Sequence, residues 1–388
     1  MFFGGLLIGI FALVLVICIH EAGHAFIAWL LQIRIQRISL GFGKPLFLWR
    51  DNRGCEWVIA KWPFGGYVKL LNSRIEYVNV AHWHECFDKK PIWQRCLVLV
   101  AGGLANLWLA WCAFLLMFII GFWQTVPVIK TVTPNTIASQ ANLAAGDRIV
   151  AINHHRTNSW VDVGMQLLMG FGRHDIRVEV LNLFDKDVNS KQRLALSCAT
   201  LNANSRCSLV LQTRYVDLSK WPTTSSKNLL GLIGIEPDPN NIYKQWIHAH
   251  GGQAAVRALQ RLFNLVGFFL SLLKQLAIGA IPFSILLGPL SFLLIAIDSL
   301  RQGLVVCLNF LGSLSLTIGL VNLLPLPSFD GGAVIYAVVE KIFHKPISLR
   351  LEILLYRLTL IGLSLLIVQL ILHDLRGIAS NPRLSSLS

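Results

Sequence analysis

The chain has 388 residues, of which 54% are hydrophobic and only 14% charged. A soluble globular domain carries about 25% charged residues, so this composition excludes an ordinary soluble protein and marks a membrane protein. The net charge of +14 raises nucleic acid as a partner, but no arginine-rich tail or nucleic-acid motif accompanies it. Eleven Lys and Arg stand against five Asp and Glu between Arg34 and Arg95, the excess that the positive-inside rule expects of a cytoplasmic loop. Nucleic acid is therefore set aside, and the lipid bilayer is the expected surroundings.

In chain order, the apolar run from about Gly4 to Ile33 is long enough to span a bilayer. It lacks a basic start and an A-x-A cleavage site, so it does not read as a removable signal peptide. A second span is expected over about Cys96–Trp123, a third over about Gly303–Leu324 and a fourth over about Ile353–Leu372. Four spans around a cytoplasmic first loop place both termini and the region 124–302 outside the cytoplasm.

From about 125 to 238 polar residues return, and strand-like runs such as Ile176–Leu181 and Ser208–Thr213 alternate with turns, as in one compact inserted domain. Cys198 and Cys207 flank a turn-like stretch there, and an oxidising compartment would permit a disulfide between them. Between Ala254 and Leu300 two readings stay open. Leu259, Leu262, Phe263, Val266, Phe269 and Leu270 recur at helical spacing, as in an amphipathic helix lying on the membrane surface; either this piece or the apolar stretch Ile281–Ile297 could instead be a fifth span. The organisation expected is thus 1–123 as an N-terminal membrane half, 124–238 as a soluble domain, 239–302 as a membrane-surface region and 303–388 as a C-terminal membrane half.

Chemistry concentrates in His20-Glu21-Ala22-Gly23-His24. The i, i+4 spacing puts both imidazoles on one helix face, where they can bind a single zinc ion, with Glu21 beside them as base. Two histidines and a carboxylate within hydrocarbon cost several kcal/mol unless paired or functional. Catalytic zinc takes three protein ligands, so a third must come from elsewhere. Asp330 is the candidate, in Asn322-Leu-Leu-Pro325-Leu-Pro327-Ser-Phe-Asp330-Gly331-Gly332, where two prolines break the helix. Taken alone, Asp330 reads equally well as the N-cap of a helix starting near Ala333, and Asn322 as an interhelical hydrogen-bonding group.

These motifs, in this order, resemble the site-2 protease family of intramembrane zinc metalloproteases, and within it the bacterial regulator-of-sigma-E proteases. The resemblance also rests on Gly41-Phe-Gly43-Lys44, Gly65-Gly66-Tyr67-Val68-Lys69, Phe87 with Lys89, Lys90 and Arg95, and Gly288-Pro289. It implies one zinc per chain held by His20, His24 and Asp330, Glu21 as catalytic base, and Asn322 holding substrate backbone near the scissile bond. It also implies that Trp57–Leu71, with Gly65, Gly66 and Tyr67, is a membrane-reentrant β-hairpin able to pair with unwound substrate. As ordinary sequence that segment reads as a short hairpin turning at Pro63-Phe-Gly65-Gly66.

The soluble domain resembles a PDZ domain through Thr133–Ala138, Ala145–Asn153 and Gly234–Pro237; the best-known relatives carry two in tandem, and this chain has room for one. The fold expected is a polytopic α-helical membrane protein of about four spans, with a reentrant β-hairpin and one PDZ-like α/β insert. The implied location is the bacterial inner membrane, with the insert in the periplasm. The implied substrates are single-span membrane proteins already trimmed on their outer side, an anti-sigma factor first among them and leftover signal peptides another. A PDZ-bearing scaffold with a structural metal, or a transporter, are the rival readings. No fourth ligand closes the site as a structural zinc requires, and no repeat of the spans supports transport.

Overall fold

The computed structural model describes residues 2–182, 211–219, 229–237, 244–281, 283, 286, 288–345 and 347–379. The chain divides into two units, one of Met1–Met117, Ala255–Val266 and Leu286–Ser388, the other of Phe118–Ala254 and Gly267–Ile285.

The first unit begins with α1 (Phe2–Leu30), ended where Gln32 takes a left-handed conformation and the Ile33 N–H returns to the Ala28 carbonyl. Two long antiparallel strands follow, β1 (Ile35–Arg50) and β2 (Glu56–Leu70), joined by a turn at 51–55 in which Asp51 Oδ1 accepts the Arg53 and Cys55 N–H groups. Both strands bend near their middles. Residues 35–40 consequently pair on one side with 66–70 (Ile38 with Val68) and on the other with 56–59 (Ile38 with Trp57), and 56–60 pair in turn with 45–50. The segment Trp57–Leu71 is therefore not a hairpin closed on itself at Pro63–Gly66, as its local sequence suggests. Its two halves flank 35–40, and 66–70 becomes an edge.

Helix α2 (Ile92–Ile120) packs against α1 through small residues: a Cβ on Gly23 would meet the Ala101 carbonyl oxygen at 2.6 Å and Ala105 Cβ at 2.7 Å. Such close approach is how apolar helices associate where burial from water supplies no drive.

Among the described residues the second unit holds three antiparallel pieces. Strands β3 (Phe122–Thr125) and β10 (Lys244–Ile247) pair, as do β4 (Ile129–Val132) and β9 (Ile235–Pro237). A four-stranded sheet runs β6 (His155–Arg156), β5 (Asp147–Ile152), β7 (Ile176–Asn182), β8 (Leu211–Val216). In β7, Ile176, Val178 and Val180 are buried while Arg177 and Glu179 between them are less so, the period of two that a one-sided sheet imposes. Short helices α3 (Ile137–Gln140) and α5 (Leu229–Ile233) accompany α4 (Trp160–Gly170), whose start is closed by a capping box: Ser159 Oγ accepts the Asp162 N–H, and the Asp162 carboxylate accepts that of Ser159. The expected run Ile176–Leu181 is β7, and the expected Ser208–Thr213 overlaps β8. Cys198 and Cys207 lie outside the described residues.

Helix α6 (Gly251–Ala277) is followed by α7 (Pro289–Arg301), α8 (Leu304–Asn322), α9 (Asp330–Phe343) and α10 (Leu349–Ala379). At 13 residues, α7 rises only about 20 Å, short of a bilayer core, and it packs against α1, α8 and α10. Its N–H groups at Leu290 and Ser291 and the Ser291 hydroxyl all donate to the Asp374 carboxylate of α10. Five of the described helices are long and apolar enough to cross a membrane, one more than the four spans expected, the addition being α6. Its mean hydropathy of 1.3 is the lowest of the five, the others lying at 2.0–2.1.

Candidate metal centre

The i, i+4 spacing of His20 and His24 on α1 does what a helix requires, and their Nε2 atoms lie 3.2 Å apart. Asp330 arrives from the opposite end of the unit. Leu323 to Phe329 turn between α8 and α9, and Asp330 is the first residue of α9, with Phe329 at the cap position. Asp330 thus makes no capping bond. Its Oδ2 is buried, accepts no hydrogen bond among the described residues, and lies 3.1 Å from His20 Nε2 and 3.3 Å from His24 Nε2. A Cβ on Gly331 or Gly332 would run into the carbonyls of Leu323, Leu324 and Leu326, so the two glycines let this turn close.

The three candidate ligand atoms form a triangle with edges of 3.1, 3.2 and 3.3 Å. Tetrahedral zinc with bonds of about 2.0–2.1 Å to nitrogen and oxygen sets its ligand atoms about 3.3 Å apart. An orphaned carboxylate oxygen and two imidazole nitrogens at that spacing fit zinc. Among the described residues this is the one group of three or more His, Cys, Asp or Glu side chains placed to hold a metal ion.

The surroundings come largely from α2. His24 Nδ1 donates to the Val98 carbonyl at 2.7 Å, which orients the ring and leaves Nε2 free to ligate. Gly102 lies one helical turn further on, and a Cβ there would overlap His24 Nε2 and meet His20 Cε1 at 2.7 Å. Asn106, one more turn along and fully buried, places its amide nitrogen 3.3 Å from His20 Nδ1. Val98 and the part played by Gly102 are not signalled by the sequence, since only a polar Asn in an apolar span stands out locally.

Glu21 projects beside the ligands rather than among them. A Cβ on Gly66 would meet the Glu21 Cγ at 3.0 Å, so the Glu21 side chain lies against the start of 66–70. Glu21 also lines a cavity of about 1000 Å³ with Cys18, Ala22, Ala25, Trp29 and Trp57. Asn322, the last residue of α8, brings its amide nitrogen within 3.3 Å of His20 Nε2. Of the three hairpin residues singled out, Gly66 reaches Glu21. Tyr67 stacks on Phe42 with ring centres 6.2 Å apart, and Gly65 adopts a φ of 110° against the same Phe42 ring.

Residues 8–367 match the profile of Peptidase family M50. Among the chain's relatives are Protease RseP of Yersinia pestis, 30% identical over 436 residues, and the Regulator of sigma-E protease RseP of Escherichia coli (strain K12), 29% identical over 438. Each alignment covers 94% of this chain and 97% of the relative. A Vibrio cholerae relative, 26% identical over 422 residues that cover 90% of this chain and 93% of its own, carries a zinc metalloprotease name. What the apolar helices and the ligand triangle define is a multi-pass zinc metalloprotease. The chain belongs to peptidase family M50, the site-2 proteases.

Proposed function

We propose that this chain cleaves single-span membrane proteins inside the bilayer, after a first cut on their outer side. An anti-sigma factor of an envelope-stress pathway is the foremost substrate type, with leftover signal peptides as a second. The observation that carries the reading is the triangle of His20, His24 and Asp330, with Glu21 against the sheet at Gly66. The location that goes with it is the bacterial inner membrane, with 124–238 as a PDZ-like domain in the periplasm and the basic segment 34–95 in the cytoplasm. Helix α6 lies along the membrane surface in this arrangement, consistent with its low hydropathy and its Arg257, Arg261 and Lys274.

A transmembrane helix hides its peptide groups in its own hydrogen bonds, so it must unwind before it can be cut. Among the described residues the edge strand 66–70 pairs with 35–40 on one side only, and its other side is open to an extended substrate strand. Zinc, when bound, supplies a Lewis acid that lowers the pKa of water towards about 7 and polarises the scissile carbonyl. Glu21 takes the proton of the attacking water and passes it to the departing amine nitrogen. The Asn322 amide N–H groups donate to substrate backbone beside His20, and Asp330 neutralises one positive charge of the metal.

The test is cleavage of a reconstituted single-span substrate by wild type, Glu21→Gln and Asp330→Ala, with zinc content measured for each. Cleavage by wild type alone, with zinc retained in Glu21→Gln and reduced in Asp330→Ala, is the expected result. Cleavage by Glu21→Gln would overturn the assignment of the base, and full zinc in Asp330→Ala that of the third ligand.

A further inference from the structure

Each zinc-binding imidazole must offer its Nε2 lone pair to the metal, so the proton of the neutral ring sits on Nδ1. That N–H needs an acceptor, because a buried unpaired donor costs about 1–3 kcal/mol. For His24 the acceptor is the Val98 carbonyl at 2.7 Å. For His20, itself 7% exposed, the group facing Nδ1 is the carboxamide of Asn106. Asn106 is 0% exposed, and among the described residues its Oδ1 has no hydrogen-bond partner while its Nδ2 lies 3.3 Å from Nδ1. Two N–H donors set against each other, beside an acceptor with nothing to accept, are doubly unsatisfied. The two ends of a carboxamide have nearly the same shape, so a half-turn about its last bond exchanges them. Oδ1 then accepts the Nδ1 proton, which satisfies that donor and that acceptor together and replaces a donor–donor contact by a hydrogen bond.

We infer that Asn106 is a positioning residue for the metal centre: its side-chain oxygen accepts the His20 Nδ1 proton and holds that imidazole in the tautomer and orientation that ligate zinc. The scaffold around it is built for the purpose. Val98, Gly102 and Asn106 lie four residues apart on one face of α2, in steps of about 6 Å. They present, in order, an acceptor for His24, a gap for both rings and an acceptor for His20. The Asn106 backbone is itself held, its carbonyl accepting the Ser315 hydroxyl at 2.8 Å. Gly319 of α8 brings that helix close, where a Cβ would meet Asn106 Cβ at 2.9 Å.

The inference rests on zinc being held by His20, His24 and Asp330, and its test reads metal binding rather than turnover. Full-length wild type, Asn106→Leu, Asn106→Ala and Asn106→Asp are titrated with zinc against a competing chromogenic chelator, and the visible spectrum of each cobalt-substituted form is recorded. Leu keeps the size and removes the acceptor, Ala removes it without added bulk, and Asp keeps it. The expected result is zinc affinity lowered about 10–100-fold in Leu and Ala, the range for lost partners of metal-bound histidines, with a shifted cobalt spectrum, and affinity in Asp within threefold of wild type. A purely structural Asn predicts the opposite for Leu, which suits an apolar span better. Leu or Ala binding zinc within threefold of wild type, or Asp as weak as Leu, would overturn the inference. Where Leu does not fold, Ala and Asp decide by the same criteria. A wild type that binds no zinc overturns the ligand assignment and this inference with it.

Discussion

Replacing Gly102 by Ala adds one methyl group at the point where α2 meets the rings of His20 and His24, which are placed to hold zinc. The new Cβ would lie 2.7 Å from His20 Cε1 and 2.8 Å from His24 Cδ2, and would overlap His24 Nε2. Carbon atoms rest about 3.5–4.0 Å apart, so relief requires a displacement of the order of 1 Å. The neighbours are rings on α1, that of His24 held by the Val98 carbonyl and both set against Asp330, not flexible chain ends. Metal–ligand distances tolerate about 0.2 Å. Overpacking of this kind costs about 1–3 kcal/mol, and taken up at the ligands it weakens zinc binding roughly 5- to 150-fold, at 1.4 kcal/mol per decade. Gly362 in α10 is the control, because a Cβ there meets nothing within 4 Å. Gly362→Ala should leave zinc affinity unchanged and shift stability by no more than about 1 kcal/mol, in the favourable direction that helix propensity sets. The assay is chelator competition on the purified proteins, with cleavage of a reconstituted substrate alongside. Zinc affinity and cleavage in Gly102→Ala within twofold of wild type would refute the argument that the gap at Gly102 is made for the two rings.

Two further expectations concern parts of the fold away from the ligands. Arg95, 7% exposed, forms a two-pronged bond with Glu340, both N–O distances 3.0 Å, and its guanidinium lies over the Phe87 ring; this joins the start of α2 to the far end of the helix that begins with Asp330. Glu340→Gln leaves a buried guanidinium short of its charge partner and should lower stability by about 2–4 kcal/mol. Arg95→Lys cannot restore the paired geometry, and thermal unfolding in detergent, followed with zinc content, measures both losses. In the second unit, burial pushes the Asp147 carboxyl up from the usual range, against the Ala144 N–H that it accepts. A raised folded-state pKa means the folded chain binds the proton more tightly, so this group opposes folding once both states are ionised and the penalty fades as pH falls through its folded value. Asp147→Asn keeps an acceptor for Ala144 and should be neutral or stabilising at pH 7, an advantage that shrinks towards pH 4. Melting curves of the full chain at the two pH values test it, and a benefit growing towards low pH would contradict the sign.

Membership of a membrane class, the two imidazoles on one helix face and the broken helix before Asp330 are all matters of local spacing. Charge content and runs of apolar residues decide the first, and 3.6 residues per turn decides the second. For this reason His20, Glu21 and His24 stand out as one constellation in the chain alone. Asp330 is ambiguous there between cap and ligand, because an Asp before a helix has the same local pattern either way. The fold removes the cap reading by making Phe329 the cap, and it brings Oδ2 to the imidazoles across some 300 residues of chain, where ligation is open to it. The bent sheet shows the same limit. Trp57–Leu71 looks like a self-contained hairpin, because its Pro-Phe-Gly-Gly stretch is a good turn, yet 35–40 inserts between its halves, and no local pattern records a pairing that distant. Helix α7 is too short and too well covered by α1, α8 and α10 to be told from a membrane span or a surface segment by its composition. What the amino-acid order determined by itself was which groups could bind a metal and which segments seek lipid. Only the tertiary structure decided which of those groups meet, through Gly23 and Gly102 letting two helices close and through Val98 and Asn106 facing the rings, because contact across long loops depends on packing that no repeat or spacing along the chain encodes.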